Sequence, residues 1–175
     1  MKAGRSAEME RFKTMGVYEY VLRGTAQKNP QGKFVGVRWV KVNKGTVEDP
    51  NVRCRLVAQE FAKGEDRDDL FAGTPPLFVM KMLLSDMASH QSMKKCMMIL
   101  DVKCAFLYGR TPRDIYIELP DEDPMSTNKD YVGKLVKAMY GTRDAPAVWQ
   151  EEVRALLVSL GFMQSKINPC VFFIC

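Results

Sequence analysis

The 175-residue chain lacks the clustered cysteines and histidines of small folds that disulfides or a bound metal stabilise. It contains one histidine, and its five cysteines form no CxxC pair. A zinc site and a disulfide framework are therefore both disfavoured, because each needs grouped thiols or imidazoles. We expect reduced, buried thiols in an intracellular, cytoplasmic protein. The cysteines are Cys54, Cys96, Cys104, Cys170 and Cys175.

Long apolar runs and the commonest enzyme motifs are also missing. No run of about 18 apolar residues occurs, so we expect no membrane span, and the N-terminus lacks the apolar core of a signal peptide. The motifs GxGxxG, GxxxxGK(S/T), HExxH and GxSxG are absent, which removes the usual signals for nucleotide-binding and hydrolase folds. With 46% hydrophobic and 27% charged residues, the composition is that of a globular domain or part of one.

The net charge of +5 is unevenly distributed. Residues 1–63 hold 13 Lys and Arg against 6 Asp and Glu, whereas residues 64–175 hold 13 against 15. A basic first third favours a polyanionic partner such as nucleic acid. An ordinary lysine-rich surface would give the same imbalance.

Periodicity predicts helices and strands in irregular alternation, which is typical of an α+β fold. The first part is predicted to contain a helix over 6–15 that Gly16 ends, an extended segment 17–22, a loop 23–33, and a hairpin of strands 34–42 and 52–57. The middle part is predicted to contain a charged loop 63–69 and a helix 77–91 with a buried apolar stripe. A half-buried strand 115–119, an acidic loop 121–129 and a strand 131–139 are predicted to follow. The last part is predicted to contain a helix that Asp144 caps and Gly161 ends, with a buried stripe over 148–160, and then a strand 170–175.

One carboxylate follows the apolar run 97–100. A continuous apolar run is typical of a strand buried on both faces, and Asp101 stands at its end. Because an unpaired buried carboxylate is costly, Asp101 needs a hydrogen-bond donor, a cation or water. On the run alone, the alternative is a strand-end aspartate that caps a turn.

Two arginines alternate with apolar residues in the second hairpin strand. Side chains two apart on a strand point to the same face, so Arg53 and Arg55 lie about 7 Å apart on one side. Two guanidinium groups at this spacing can hold phosphates. The alternative is a solvated face with cross-strand ion pairs.

Seven segments, in this order and with matching gaps, resemble those of one family. The run Leu-Asp-Val-Lys-Cys-Ala-Phe-Leu at 100–107 is similar to its Met-Asp-Val-Lys-Thr-Ala-Phe-Leu, and Met-Tyr-Gly at 139–141 to its Leu-Tyr-Gly. The segments are 38–40, 53–58, 70–72, 100–109, 115–120, 135–141 with 145–146, and 161–162 with 168–170. The family that they resemble is the reverse transcriptase of copia-type retrotransposons.

The resemblance implies a partial right-hand polymerase fold. Residues 1–175 would be an incomplete reverse transcriptase domain, with a lead-in at 1–33, a fingers hairpin within 34–95, and the first part of the palm, a sheet with packed helices, at 96–175. The implied activity is RNA-directed DNA synthesis with Mg²⁺ or Mn²⁺ as cofactor. The implied partners are an RNA/DNA template-primer, a dNTP, and the remaining polyprotein segments (the rest of the palm, the thumb and RNase H).

The resemblance also assigns roles around the apolar run. Asp101 would be the first metal-binding aspartate, and the carbonyl of Val102 would be a second ligand of that metal. The backbone N–H groups near Cys104 and Ala105 would face the incoming triphosphate. Phe106 would crowd the sugar 2′ position and select deoxynucleotides, although plain core packing is the alternative for this residue.

Four further residues receive roles in nucleotide binding by the same resemblance. Arg53 or Arg55 would hold the triphosphate or the template, and which of the two does so stays open. Tyr140 and Gly141 would line the nucleotide pocket.

The chain departs from the family pattern at its end. The family's second carboxylate pair lies in a Tyr-Val-Asp-Asp turn after the Asn-Pro-Cys segment, and the sequence stops at Cys175, before such a turn. One aspartate cannot hold two metals, so we expect the chain to bind metal weakly or not at all and to be inactive alone. The alternative function is a non-enzymatic nucleic-acid-binding remnant or an inert gene fragment.

Overall fold

The computed structural model describes residues 2–61, 75–89 and 102–174. Three features predicted from the sequence lie outside these ranges. They are the charged loop 63–69, the strand that precedes Asp101, and Asp101 itself.

The chain divides into two compact units. The first contains the described residues 2–61 and 105–149, and the second contains 75–89, 102–104 and 150–174. The helices are α1 (Lys2–Met15), α2 (Arg23–Gln27), α3 (Leu77–Ser89) and α4 (Ala145–Ser159), with a 3-10 helix at Ala105–Tyr108. The strands are β1 (Tyr18–Leu22), β2 (Lys33–Val35), β3 (Val37–Asn43), β4 (Val52–Ala58), β5 (Ile115–Ile117), β6 (Tyr131–Leu135), β7 (Met163–Gln164) and β8 (Phe172–Phe173).

The strands form three small sheets. A four-stranded sheet has the order β1-β6-β5-β2, in which β2 and β5 are parallel and the other pairs are antiparallel. The strands β3 and β4 form a separate antiparallel hairpin, and β7 pairs with β8. Mixed helices and small sheets confirm the predicted α+β class at this level.

The first helix ends where it was predicted to end but begins earlier, at Lys2, and β1 lies within the predicted extended segment. Helix α1 ends at Met15 because Gly16 takes a φ of +61°, which favours glycine. Phe12 and Val17, on either side of this stop, are both buried. The Val17 carbonyl accepts hydrogen bonds from the amides of residues 136 and 137, which ties the end of the helix to the sheet region.

The predicted loop 23–33 is wrong in part, because it contains α2 and the start of β2. The local sequence Arg-Gly-Thr-Ala-Gln is a weak helix former, and long-range contacts stabilise it instead. The Arg23 guanidinium binds Glu118 with two hydrogen bonds, and Ala26 is buried against Tyr116 and Val132. Tertiary packing therefore overrides the local preference.

The predicted strand 34–42 is interrupted. The chain leaves the four-stranded sheet after Val35 and enters the hairpin at Val37, and the carbonyl of the intervening Gly36 accepts the Gln59 amide. The predicted turn of the hairpin is confirmed. There the Asn43 carboxamide accepts hydrogen bonds from the backbone amides of residues 45 and 51.

The predicted half-buried strand 115–119 is shorter and more deeply buried than expected. All three residues of β5 are buried, since this strand lies inside the sheet between β6 and β2. Tyr116 packs against Ala26 and Val132 on one side, and its ring stacks on Phe34 at 5.2 Å.

The second unit departs most from the sequence prediction. Helix α3 forms where it was predicted, but none of its residues is buried, so the predicted buried stripe is wrong. In α4 only Ala145 is buried and Leu156 is exposed, as is Leu160 directly after the helix, so the buried stripe predicted over 148–160 is wrong as well. Gly161 ends the helix with a φ of +89°, as predicted. Nothing helical within 2–61, 75–89 or 102–174 has the length and apolar character to cross a bilayer.

Candidate nucleotide-binding surface

Three arginines share one face of the β3–β4 hairpin, and we call Arg38, Arg53 and Arg55 the arginine face. Residues paired across antiparallel strands point to the same side. The pairs on this side are Arg53 with Val42, Arg55 with Val40, and Val57 with Arg38. The prediction that Arg53 and Arg55 lie on one face is confirmed, and the register adds Arg38.

The opposite face of β4 is packed against the protein interior. Cys54, Leu56 and Ala58 are all buried, and a side chain at Gly4 of α1 would approach the Cys54 Sγ to 3.1 Å. Helix α1 therefore covers this face and leaves the arginine face outward. Within the described ranges Cys54, Cys104 and Cys170 form no disulfide; the first is buried and the others are half-buried.

Two aromatic rings continue the surface from Arg55. The Arg55 guanidinium lies over the Tyr140 ring at 5.3 Å, a cation–π contact. The Tyr140 ring meets Phe106 edge to face, with ring centroids 5.6 Å apart. All three side chains are partly exposed. Segments 34 to 85 residues apart in sequence thus meet in one row, which we call the Arg55–Tyr140–Phe106 row.

Gly141 allows the turn after Tyr140 to lie against the end of β4. The Ala58 amide donates to the Tyr140 carbonyl at 2.7 Å. Gly141 has a φ of +86°, and a Cβ at this position would lie 2.0 Å from the Ala58 carbonyl oxygen. Only glycine fits this backbone conformation and this close approach.

A buried ionic network that the sequence analysis missed lies beside this turn. Glu60 has no exposed side-chain surface and accepts hydrogen bonds from Lys33, from both terminal nitrogens of Arg113, and from the Arg143 amide. Burial raises the pKa of Glu60, but these hydrogen bonds outweigh it and lower the pKa to about 2. Glu60 is therefore ionised at neutral pH.

Arg113 joins Glu60 to Asp144. Its guanidinium donates to Asp144 at 2.7 Å and 3.1 Å, and the hydrogen bonds to Glu60 and Asp144 raise the pKa of Arg113. The Asp144 carboxylate also accepts the Thr111 hydroxyl. Asp144 precedes α4 as predicted, and its backbone carbonyl accepts Val148 N–H. Its carboxylate is bound within the network.

The sequence contains a pattern that predicts the inward position of Glu60, but none that predicts its pairing with Arg113. The buried residues Cys54, Leu56 and Ala58 alternate along β4, and the same alternation continued to position 60 predicts an inward carboxylate. Arg113 follows 53 residues later, in a turn. No local pattern links the two.

The other predicted site residues that the structure describes are Val102, Cys104 and Ala105, which are not part of the Arg55–Tyr140–Phe106 row. Val102 is exposed at 43%, and Cys104, which lies in the second unit with it, has a φ of +57°. Ala105 is half-buried at the start of the 3-10 helix. The structure thus brings together Arg55, Phe106, Tyr140 and Gly141, and places Arg53 on the same face as Arg55.

The predicted metal site cannot be built from the described residues. Asp101 lies outside them, and within the described ranges no group of three or more His, Cys, Asp or Glu could hold a metal ion. The donor set that Mg²⁺ or Mn²⁺ prefers, several oxygen ligands on one centre, is not assembled by these residues.

Comparison with known proteins gives a consistent result over nearly the whole chain. The profile of the family described as "Reverse transcriptase (RNA-dependent DNA polymerase)" matches residues 24–174. The Pol polyprotein of transposon TNT 1-94 from Nicotiana tabacum is 32% identical over 171 residues, which cover 95% of this chain and 12% of that protein.

Two Pol polyproteins from Arabidopsis thaliana are similar as well. That of transposon RE2 is 29% identical over 82% of this chain, and that of RE1 is 30% identical over 79%; each match covers 10% of the relative. The chain spans about a tenth of the length of these relatives. No solved structure matches it. The chain belongs to the reverse transcriptase family, and within it to the copia-type Pol polyproteins of retrotransposons.

Proposed function

We propose that the chain serves RNA-directed DNA synthesis as the fingers and first part of the palm of a right-hand polymerase. Residues 34–95 supply the fingers, 96–175 the palm, and 1–33 a lead-in. The arginine face and the Arg55–Tyr140–Phe106 row form the surface that binds the template-primer and the incoming dNTP. Family membership supports this assignment.

The observation that carries the proposal is the contact of Arg55 with Tyr140 and of Tyr140 with Phe106. Guanidinium groups bind phosphates with several donors each, and partly exposed aromatic rings stack on bases of any sequence. A surface that combines both suits a nucleic-acid strand or a nucleotide.

The proposed catalytic centre rests on the resemblance alone. The family generally uses a divalent metal ion. Asp101 and the Val102 carbonyl are the proposed ligands of Mg²⁺ or Mn²⁺, and the amides of Cys104 and Ala105 are the proposed contacts of the triphosphate. Phe106 is the proposed selector against a 2′-hydroxyl.

Template-primer binding as a function of salt tests the proposed surface. The dissociation constant of labelled poly(rA)/oligo(dT) is measured by fluorescence anisotropy for the wild type and for the double variant Arg53→Ala with Arg55→Ala. Each phosphate contact contributes about 0.7 to 0.9 to the slope of log K against log salt. We expect the double variant to flatten the slope by about 1.5 and to bind about tenfold more weakly near 0.1 M salt.

A charge-matched control separates this surface from general basicity. Lys13 and Lys28 are exposed, the one on α1 and the other directly after α2. Lys13→Ala with Lys28→Ala removes the same charge and should leave the slope within a few tenths of the wild-type value. Equal losses in both double variants would reject the arginine face as the binding surface.

A further inference from the structure

The turn that carries Tyr140 is attached to the end of β4 at two points. The Tyr140 carbonyl accepts the Ala58 amide at 2.7 Å. Three residues further along the turn, the Arg143 amide donates to the Glu60 carboxylate at 2.9 Å. Residues 58 and 60 of one strand end thus hold residues 140 and 143 of one turn.

Glu60 is itself fixed in a single orientation. Lys33 and Arg113 each donate to its Oε1 at 2.8 Å, and Arg113 also donates to Oε2 at 3.0 Å. A two-pronged arginine contact sets the plane of a carboxylate, and a buried charge without partners is strongly disfavoured. The carboxylate therefore presents Oε2 to Arg143 N–H in a defined direction.

The far end of the turn is held by the same guanidinium. Arg113 binds Asp144 as well as Glu60, so the residue that follows Arg143 is tied to the same centre. Lys33, Glu60, Arg113 and Asp144 balance as two positive and two negative groups. The network leaves no net charge to attract a ligand, and its effect is to fix the turn.

We infer that Glu60 is a positioning residue, which holds the 140–144 turn so that the Tyr140 ring lies under Arg55 and beside Phe106. The inference rests on the proposed function, because it assigns Glu60 a role in the same binding surface. Glu60 touches no nucleotide in this account and acts through Tyr140. Its loss should weaken binding only as far as it displaces Tyr140.

Amide hydrogen exchange tests the positioning without any ligand. In Glu60→Gln the Arg143 and Ala58 amides should exchange about tenfold faster, since a charge-assisted hydrogen bond is lost next to the turn. The control is Asp123→Asn, which alters another buried carboxylate, the acceptor of the Tyr18 and Tyr20 hydroxyls. This control should leave both amides unchanged.

A milder variant guards against loss of folding. Lys33 is 45% exposed at its side chain and contributes one donor to Glu60. Lys33→Met should keep the fold and raise exchange at the same two amides by a smaller factor. Unchanged exchange at Ala58 in both the Glu60 and the Lys33 variant would overturn the inference.

A double-mutant cycle on poly(rA)/oligo(dT) binding tests the route through Tyr140. Glu60→Gln and Tyr140→Leu should each weaken binding about tenfold, and the two together no more than the stronger single variant, because both remove one positioned ring. Multiplicative losses would overturn the route through Tyr140. If Tyr140→Leu has no effect, the proposed surface fails, whereas the exchange experiment still decides whether Glu60 positions the turn.

Discussion

The second unit of the chain is richer in apolar residues than the first, with 33 of 59 residues against 48 of 116, but the burial of the two units runs the other way. Among the described residues, every buried one lies in the first unit, including Phe12, Leu56, Ile117 and Val132. No described residue of the second unit is buried. The first unit is built on a four-stranded sheet with partners far apart in sequence. The described part of the second unit consists of helical segments and a pair of two-residue strands.

An apolar pattern of equal clarity leads to burial in one unit and to exposure in the other. The stripe of α3 and the alternation of β4 are equally clear in the sequence, and both elements form. Burial depends on what covers an element, and α1 covers one face of β4. Periodicity therefore predicts the type of element more securely than its burial.

Matched leucine substitutions should give the largest contrast between the units. Leu56 of β4 is fully buried, and Leu84 of α3 is 54% exposed. Leu56→Ala should lower the free energy of unfolding by about 3 kcal/mol, since it removes buried methyl groups and leaves a cavity. Leu84→Ala should change it by less than about 0.5 kcal/mol. Urea denaturation followed by circular dichroism measures both.

Equal losses of unfolding free energy in Leu56→Ala and Leu84→Ala would contradict this difference in burial. They would mean that α3 is covered in solution as completely as β4 is. A large loss for Leu84→Ala alone would reverse the assignment of the core to the first unit.

Acid should separate the two units through Glu60, which is buried in the first. Its pKa in the folded chain is about 2 against an ordinary value of 4.5. The stabilisation is therefore present above about pH 4.5 and is lost as the pH falls through 2. The wild type should exceed Glu60→Gln in stability by on the order of 3 kcal/mol at pH 6, with the difference shrinking towards pH 2.

The matched control in the second unit is an exposed ion pair. Glu151 pairs with Arg154 one helical turn away, and the hydrogen bond from Arg154 lowers the pKa of Glu151. Water screens such pairs, so Glu151→Gln should have a small effect at every pH. Urea denaturation at pH 6, 4 and 2.5 measures both variants, and a pH-independent difference for Glu60→Gln would contradict the network.

Much of the candidate site could be predicted from the sequence, because its residues stand in local patterns or in motifs that resemble those of the family. The alternation of Arg53 and Arg55 with buried residues places both on one face, and the turn residues from Asn43 onward predict the hairpin. The resemblance identified Tyr140, Gly141 and Phe106. The fold brings the Tyr140 and Phe106 rings together and places Gly141 against β4.

The rest depends on contacts between distant segments, which a single sequence does not encode locally. Helix α2 has a weak local preference and forms beside Glu118, 95 residues from Arg23. The Glu60–Arg113 pair spans 53 residues and depends on the turn geometry at both ends. Gly36 separates two strands that read as one, because the first pairs with β5 and the second with β4.

The most direct measurement of the central claim is an NMR titration of the ¹⁵N-labelled chain with poly(rA)/oligo(dT). We expect the largest amide shifts at Arg53, Arg55, Phe106 and Gly141, with little change in the acidic loop 121–129 or in β7 and β8. Shifts confined to the loop or to the second unit, with none along the Arg55–Tyr140–Phe106 row, would contradict the assignment of this row and the arginine face as the nucleotide-binding surface.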